Sequence, residues 1–137
     1  MIKGRLLNSE ILTVLSKMGH TDQITIADAG LPVPDSVKRI DLALKKGTPT
    51  FIETVKVMAE YMVIEKIVLA NEIKTHNPEV YEAIIKTFEG IQVEWCSHEA
   101  FKAQTKHSKA VIRTGECTPY ANIILQSGVD FEGDSNG

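Results

Sequence analysis

The chain has 137 residues, 43% of them apolar and 24% charged, with a net charge of −3. This is ordinary globular usage for one domain, long enough to bury roughly two-thirds of the surface its unfolded chain would expose, with no staple required. The acidic balance speaks against a nucleic-acid partner, which needs a concentrated basic face, and no apolar run approaches the ~20 residues of a membrane span.

Asn8 is suited to cap a first helix, with Leu7 and Leu12 at the positions of a hydrophobic staple. Ile11, Leu12, Val14, Leu15 and Met18 fall on one stripe, and Gly19 supplies a stop. Residues 24–27 read as a strand. Residues 37–44 are predicted as a short helix with Ile40, Leu42 and Leu44 apolar, closed near Gly47. A longer helical pattern after Pro49 carries Phe51, Ile52, Val55, Met58, Ala59 and Met62, and residues 66–70 form a second buried strand. Asn77 and Pro78 open a helix whose first turn tolerates the missing N–H of proline; it ends at Gly90.

Residues 91–96 alternate apolar and polar, a strand with one face less buried. Ser97 is placed to cap a helix running to about Lys106, with Glu99 in its first turn. Residues 110–113 and 123–125 are the last strands. Helices alternating with short β-branched runs predict a single α/β domain over residues 1–131. Its architecture is three-layer α/β/α with a largely parallel central sheet. The polar tail, 132–137, is expected to be disordered. With no apolar signal core at the N-terminus, a soluble cytoplasmic protein is expected, with Cys96 and Cys117 as free thiols.

Polar residues gather where strands begin and end. His20 precedes the first strand; Asp28 follows it, in a loop that Gly30, Pro32 and Pro34 keep out of helical geometry. In α/β proteins the carboxyl ends of strands line the ligand crevice, so a proton donor and an acceptor flank one strand near a plausible site. Simpler roles are open to both: His20 can favour the negative end of the preceding helix, and Asp22 and Asp28 suit Asx-turns. His98 lies between a strand and a helix, and Lys102 one turn further on shares its face; a solvated helix start is the plainer reading. Residues 113–122 are the densest polar segment, where Tyr120 and Asn122 offer groups that both donate and accept, as sugar hydroxyls require.

Other chemistries find little support. Nothing around Cys96 and His98 lowers a thiol pKa, which a nucleophilic cysteine needs. The four histidines contain no His-x-x-x-His pair, and only Glu72 with His76 has ligand-like spacing, so no metal is expected. No glycine-rich dinucleotide turn or P-loop is present, so no nucleotide cofactor is expected either.

Several of these segments resemble the D-ribose pyranase family in order and at length. They are Leu-Asn-Ser at 7–9, Gly-His-Thr-Asp at 19–22, Asp-Ala-Gly-Leu-Pro-Val-Pro at 28–34 and Arg-Ile-Asp-Leu-Ala-Leu at 39–44. Ser-His-Glu-x-Phe-Lys at 97–102 and Val-Ile-Arg-Thr-Gly-Glu-Cys-Thr-Pro-Tyr-Ala-Asn-Ile-Ile-Leu at 111–125 complete the match. The fucose mutarotases share the general plan, but the 19–34 and 111–125 segments look more like the ribose branch. The resemblance implies an isomerase that interconverts the pyranose and furanose forms of D-ribose without a cofactor, so that the furanose is available to ribokinase. It also implies a ring-shaped homo-oligomer, commonly a decamer, with active sites at subunit contacts. By motif match His20 would be the acid catalyst, Asp28, His98, Tyr120 and Asn122 would hold the sugar, and Lys102 would stand beside it. Two other readings keep the same polar clusters: a non-catalytic sugar-binding accessory of a ribose transporter, and a mutarotase for fucose or another monosaccharide. The segment after Phe131 departs from the usual family ending.

Overall fold

Along the strands, side chains alternate between two apolar layers, as the period of two in an extended chain requires. Ile24, Ile26, Ile67, Leu69, Ala110, Ile112, Ile123 and Leu125 enter one core cluster. Their neighbours Ala27, Val68, Ala70, Val111 and Ile124 enter the other. The computed structural model describes residues 1–131; the tail expected to be disordered, 132–137, lies outside the described residues.

The strands are β1 (Gln23–Ala27), β2 (Lys38–Asp41), β3 (Ile64–Ala70), β4 (Gln92–Cys96), β5 (Ala110–Arg113) and β6 (Ile123–Ser127), in one sheet of order β2-β5-β1-β6-β3-β4. β5 pairs in parallel with β1 and β2, and β3 pairs in parallel with β4. β6 is antiparallel to both its neighbours, β1 and β3. Of these strands, therefore, β6 alone runs against the rest, and it does so inside the sheet. The carboxyl ends of β1 to β5 and the amino end of β6 share one edge, which places the segments that follow Ala27, Ala70, Cys96 and Arg113 beside the one that precedes Ile123.

Helices cover both faces, giving the expected three layers. Ile11 and Val14 of α1 (Ser9–Lys17), Phe51, Val55 and Met58 of α2 (Phe51–Tyr61), Ile73 of α3 (Ile73–His76) and Ile84 of α4 (Pro78–Thr87) pack on the larger cluster. Phe101 of α5 (His98–Gln104) packs on the other face with Leu31 and Val37. The caps are local and match the sequence: Asn8 accepts from Ile11 N–H at 2.9 Å and Ser97 from Ala100 N–H at 3.1 Å. Gly90 takes φ +81°, the left-handed stop that glycine adopts without strain. Among the described residues no helix is long and apolar enough to cross a membrane.

Three local expectations fail. The helix predicted over 37–44 is the edge strand β2, where Arg39 and Ile40 pair with Val111 and Ile112. Its apolar residues do not form a buried helical face: Ile40 is 1% exposed, whereas Leu44 is 79% exposed. Pairing to β5 satisfies the backbone there, and tertiary context overrides propensity. Gly19 is not a left-handed stop; α1 ends in the extended Met18, and the positive φ falls on Thr21 at +72°. Leu7 is 57% exposed, so no staple buries it.

Candidate active site

Asp28 emerges from β1 at the shared edge with its carboxylate fixed on both sides. Oδ1 accepts from Gly30 N–H at 2.9 Å, closing an Asx-turn, and Oδ2 accepts from Asn122 Nδ2 at 3.1 Å. The Asn122 Oδ1 returns the contact by accepting from Asp28 N–H at 2.8 Å. Asn122 is 2% exposed, so its carboxamide serves Asp28. Burial pushes the Asp28 carboxyl above its ordinary value, against the pull of the Gly30, Asn122 and Leu31 hydrogen bonds and of His98.

His98 opens α5 after β4. Its backbone N–H donates to both Glu72 carboxylate oxygens, each at 3.1 Å. Its Nδ1 is buried and has no hydrogen-bond partner among the described residues, a polar atom whose isolation is costly until something bonds it. The Tyr120 ring stands edge-on to the His98 ring, 5.0 Å between centroids and 85° between planes. The His76 ring lies 5.4 Å from that of the same tyrosine, centroid to centroid. Lys102, one turn along α5, pairs its Nζ with Glu99 at 2.8 Å.

The loops carrying these groups are tied to the sheet. Thr114 donates its hydroxyl to Ala27 O at 2.8 Å, and Ala29 N–H donates to Glu116 O at 2.8 Å. Arg113 Nε donates to Ala29 O at 3.1 Å while Nη1 bonds Asp41 at 3.1 and 3.2 Å. An open concavity beside Asp28 is lined by Gly30, Glu116, Cys117, Thr118 and Pro119. Glu72, Arg113, Thr114 and Glu116 thus support the site; the sequence places the last three in the polar segment 113–122 and pairs Glu72 only with His76, without assigning any of them this supporting part. Their roles are long-range contacts with no local motif.

His20 stands elsewhere. It lies ahead of β1, and β1 is five residues long, which at about 3.3 Å per residue puts roughly 16 Å of strand between it and Asp28. The imidazole Nε2 meets Glu65 Oε1 at 2.7 Å, and Glu65 Oε2 accepts from Gln126 Nε2 at 2.6 Å. The Gln126 and His20 contacts hold the Glu65 carboxyl below its ordinary value. Glu65 is the second residue of β3 and Gln126 the last but one of β6, so this cluster occupies the opposite edge of the sheet. Flanking a strand therefore separates donor and acceptor instead of joining them. Asp28, His98, Tyr120 and Asn122 come together in one chain; His20 does not join them there.

Cys96 and Cys117 are free thiols. Burial, then the Glu94 and Glu72 carboxylates, raises the Cys96 thiol, the reverse of what a nucleophile needs. No group of three or more His, Cys, Asp or Glu is gathered for a metal among the described residues.

Similarity to known proteins covers nearly the whole chain. D-ribose pyranase of Geobacillus thermodenitrificans is 54% identical over 131 residues, 96% of this chain and 99% of that one. The structure of Bacillus subtilis RbsD complexed with D-ribose superposes with a TM-score of 0.94 at 54% identity, covering 96% of this chain and 100% of that one. Fucose mutarotase of Streptococcus pneumoniae in complex with L-fucose is more distant, with a TM-score of 0.77 at 27% identity over 90% of this chain and 94% of that one. A family model matches residues 1–130, and with relatives this near over this length the chain belongs to the RbsD / FucU transport protein family.

Proposed function

We propose that the protein is an isomerase that interconverts the pyranose and furanose forms of D-ribose. The observation that carries this reading is the 54% identity, across 96% of the chain, to a protein solved with D-ribose. A buried, unpartnered His98 Nδ1 beside a fixed Asp28 agrees with it, since both invite a hydroxyl-rich ligand.

The chemistry needs proton transfers alone. A base takes the proton of the anomeric hydroxyl, the bond between C1 and the ring oxygen O5 breaks, and an acid protonates O5. The resulting aldehyde turns about its C–C bonds; O4 then attacks C1, its proton leaves, and the carbonyl oxygen is reprotonated to give the furanose. Positioned proton transfer of this kind is worth roughly 10²–10⁴-fold, and an imidazole exchanges protons readily near neutrality.

In this reading Asp28, His98 and Tyr120 hold the sugar, Asn122 acts by holding Asp28, and Lys102 stands beside them. The proton donor is the partner subunit's His20, because the His20 of the same chain lies at the far edge of the sheet. The active assembly is then a closed ring, proposed as a decamer, with each site at a subunit contact. The enzyme works in the cytoplasm and delivers furanose for phosphorylation by ribokinase.

Saturation-transfer NMR on purified protein tests the proposal: exchange between ribose ring forms should rise in proportion to protein concentration. Ribose binding with exchange equal to that in buffer would make the protein a binding module. Faster exchange with L-fucose than with D-ribose would move the substrate to the mutarotase branch.

A further inference from the structure

Asn77 enters the sequence reading only as the residue before a helix proline. In the structure it is 7% exposed and forms the joint between α3 and α4. Its backbone is committed there, with N–H donating to Ile73 O at 3.0 Å and the carbonyl accepting from Tyr81 N–H at 3.0 Å. An asparagine at such a place ordinarily turns its side chain onto the first helical turn, but Asn77 makes no capping bond to α4. Its carboxamide instead crosses to a remote loop. Nδ2 donates to Thr118 Oγ1 at 2.9 Å and to Pro119 O at 2.8 Å.

The partners dictate that orientation. The Pro119 carbonyl can only accept, and the Thr118 hydroxyl already donates to Glu116 Oε2 at 2.8 Å. Glu116 Oε1 in turn accepts from Phe51 N–H at 3.0 Å, at the start of α2. The amide therefore anchors the loop through an N–H pair that neither aspartate nor alanine supplies.

The next residue is Tyr120, at φ +58°. Bulky residues rarely adopt that left-handed conformation, and it persists only where surrounding structure over-determines it. Behind Tyr120 the chain is held by Asn122, whose N–H donates to Tyr120 O at 2.9 Å and whose side chain is locked on Asp28. Ahead of Tyr120 it is held by the Asn77 amide. These two holds flank the tyrosine whose ring stands edge-on to His98.

We infer that Asn77 is a positioning residue for the reaction: its carboxamide fixes the left-handed turn at Tyr120 and so completes the sugar-holding group with His98. The inference rests on the reading of Tyr120 as a residue that holds the sugar. Asn77→Ala should raise the ribose concentration for half-maximal ring exchange about tenfold, the equivalent of one directed hydrogen bond, while the maximal rate changes less. Glycine adopts the left-handed conformation unaided. In a Tyr120→Gly background, Asn77→Ala should therefore shift half-saturation by less than about twofold, the non-additivity of coupled residues. Half-saturation unchanged in Asn77→Ala, or the full rise persisting in the Tyr120→Gly background, overturns the inference. If Asn77→Ala does not fold, Thr118→Val, at an exposed position, replaces it in the same cycle, with a smaller rise expected and the same two overturning results. A Tyr120→Gly protein with wild-type half-saturation removes the sugar-site reading itself, and the inference with it.

Discussion

A half-buried carboxylate such as Asp28 works against the fold that holds it. Burial disfavours its charged form and raises its pKa from the ordinary value of 3.8. Below that value Asp28 is protonated whether the chain is folded or not, and no penalty arises. As pH rises through the raised folded value, the unfolded chain gives up its proton more readily and the folded state loses ground. Asn at this position carries no such charge. Melting temperatures of Asp28→Asn and wild type, measured between about pH 4 and pH 7, should therefore shift in the variant's favour as pH rises, while ring exchange in the variant falls towards the buffer rate. A gap that moves the other way would mean that hydrogen bonds to the carboxylate outweigh its desolvation.

His20 makes the opposite case, an exposed side chain outside both core clusters. His20→Ala should leave the melting temperature within about 2 °C of wild type, as exposed substitutions do, and slow ring exchange by roughly 10²–10⁴-fold. Saturation transfer and calorimetry on the same sample separate the two effects. A variant that exchanges ribose at the wild-type rate removes His20 from the chemistry.

Among the elements, those with local determinants were legible. Asn8 and Ser97 bond the helix turns next to them, and β1, β3 and β5 are short apolar runs rich in β-branched residues, a signal carried by neighbouring positions. β2 was not legible, because its state depends on β5, about 70 residues further along the chain, and its own apolar spacing suits a helix equally well. Gly115 shows the same limit in the loop after β5. In sequence it is one residue of a polar segment; in the structure the turn at 45–48 lies on it. A Cβ built there would be 2.4 Å from Thr48 O and 2.5 Å from Lys45 O, both backbone atoms that cannot swing aside. Gly115→Ala should lower stability by about 1–3 kcal/mol through overpacking. Urea titration reads this as an earlier midpoint at unchanged slope; a midpoint at the wild-type position would mean that the turn yields freely.

For the whole molecule, the decisive relation is between the two edges of the sheet. The motifs identified His20 and the Asp28, His98, Tyr120 and Asn122 group separately, and both lie at strand ends, as read. What the chain order concealed is that a strand carries its two ends apart. With β1 between them, one chain cannot bring its imidazole to the Asp28 edge without dismantling the sheet, which is why the proposed site takes its imidazole from a second copy. A site built from two copies has a consequence for mixtures. His20→Ala subunits keep an intact Asp28 edge, and Asp28→Asn subunits keep an intact His20 edge. Co-expressed with different affinity tags and isolated through both, the mixed oligomers should recover roughly a quarter of wild-type ring exchange, the random-mixing share of sites that draw both halves from the correct variants. A site contained in one chain gains nothing from mixing, since every subunit then carries one defect. Mixed oligomers no more active than the two parents would place His20 and Asp28 in the same protomer's chemistry, or in none.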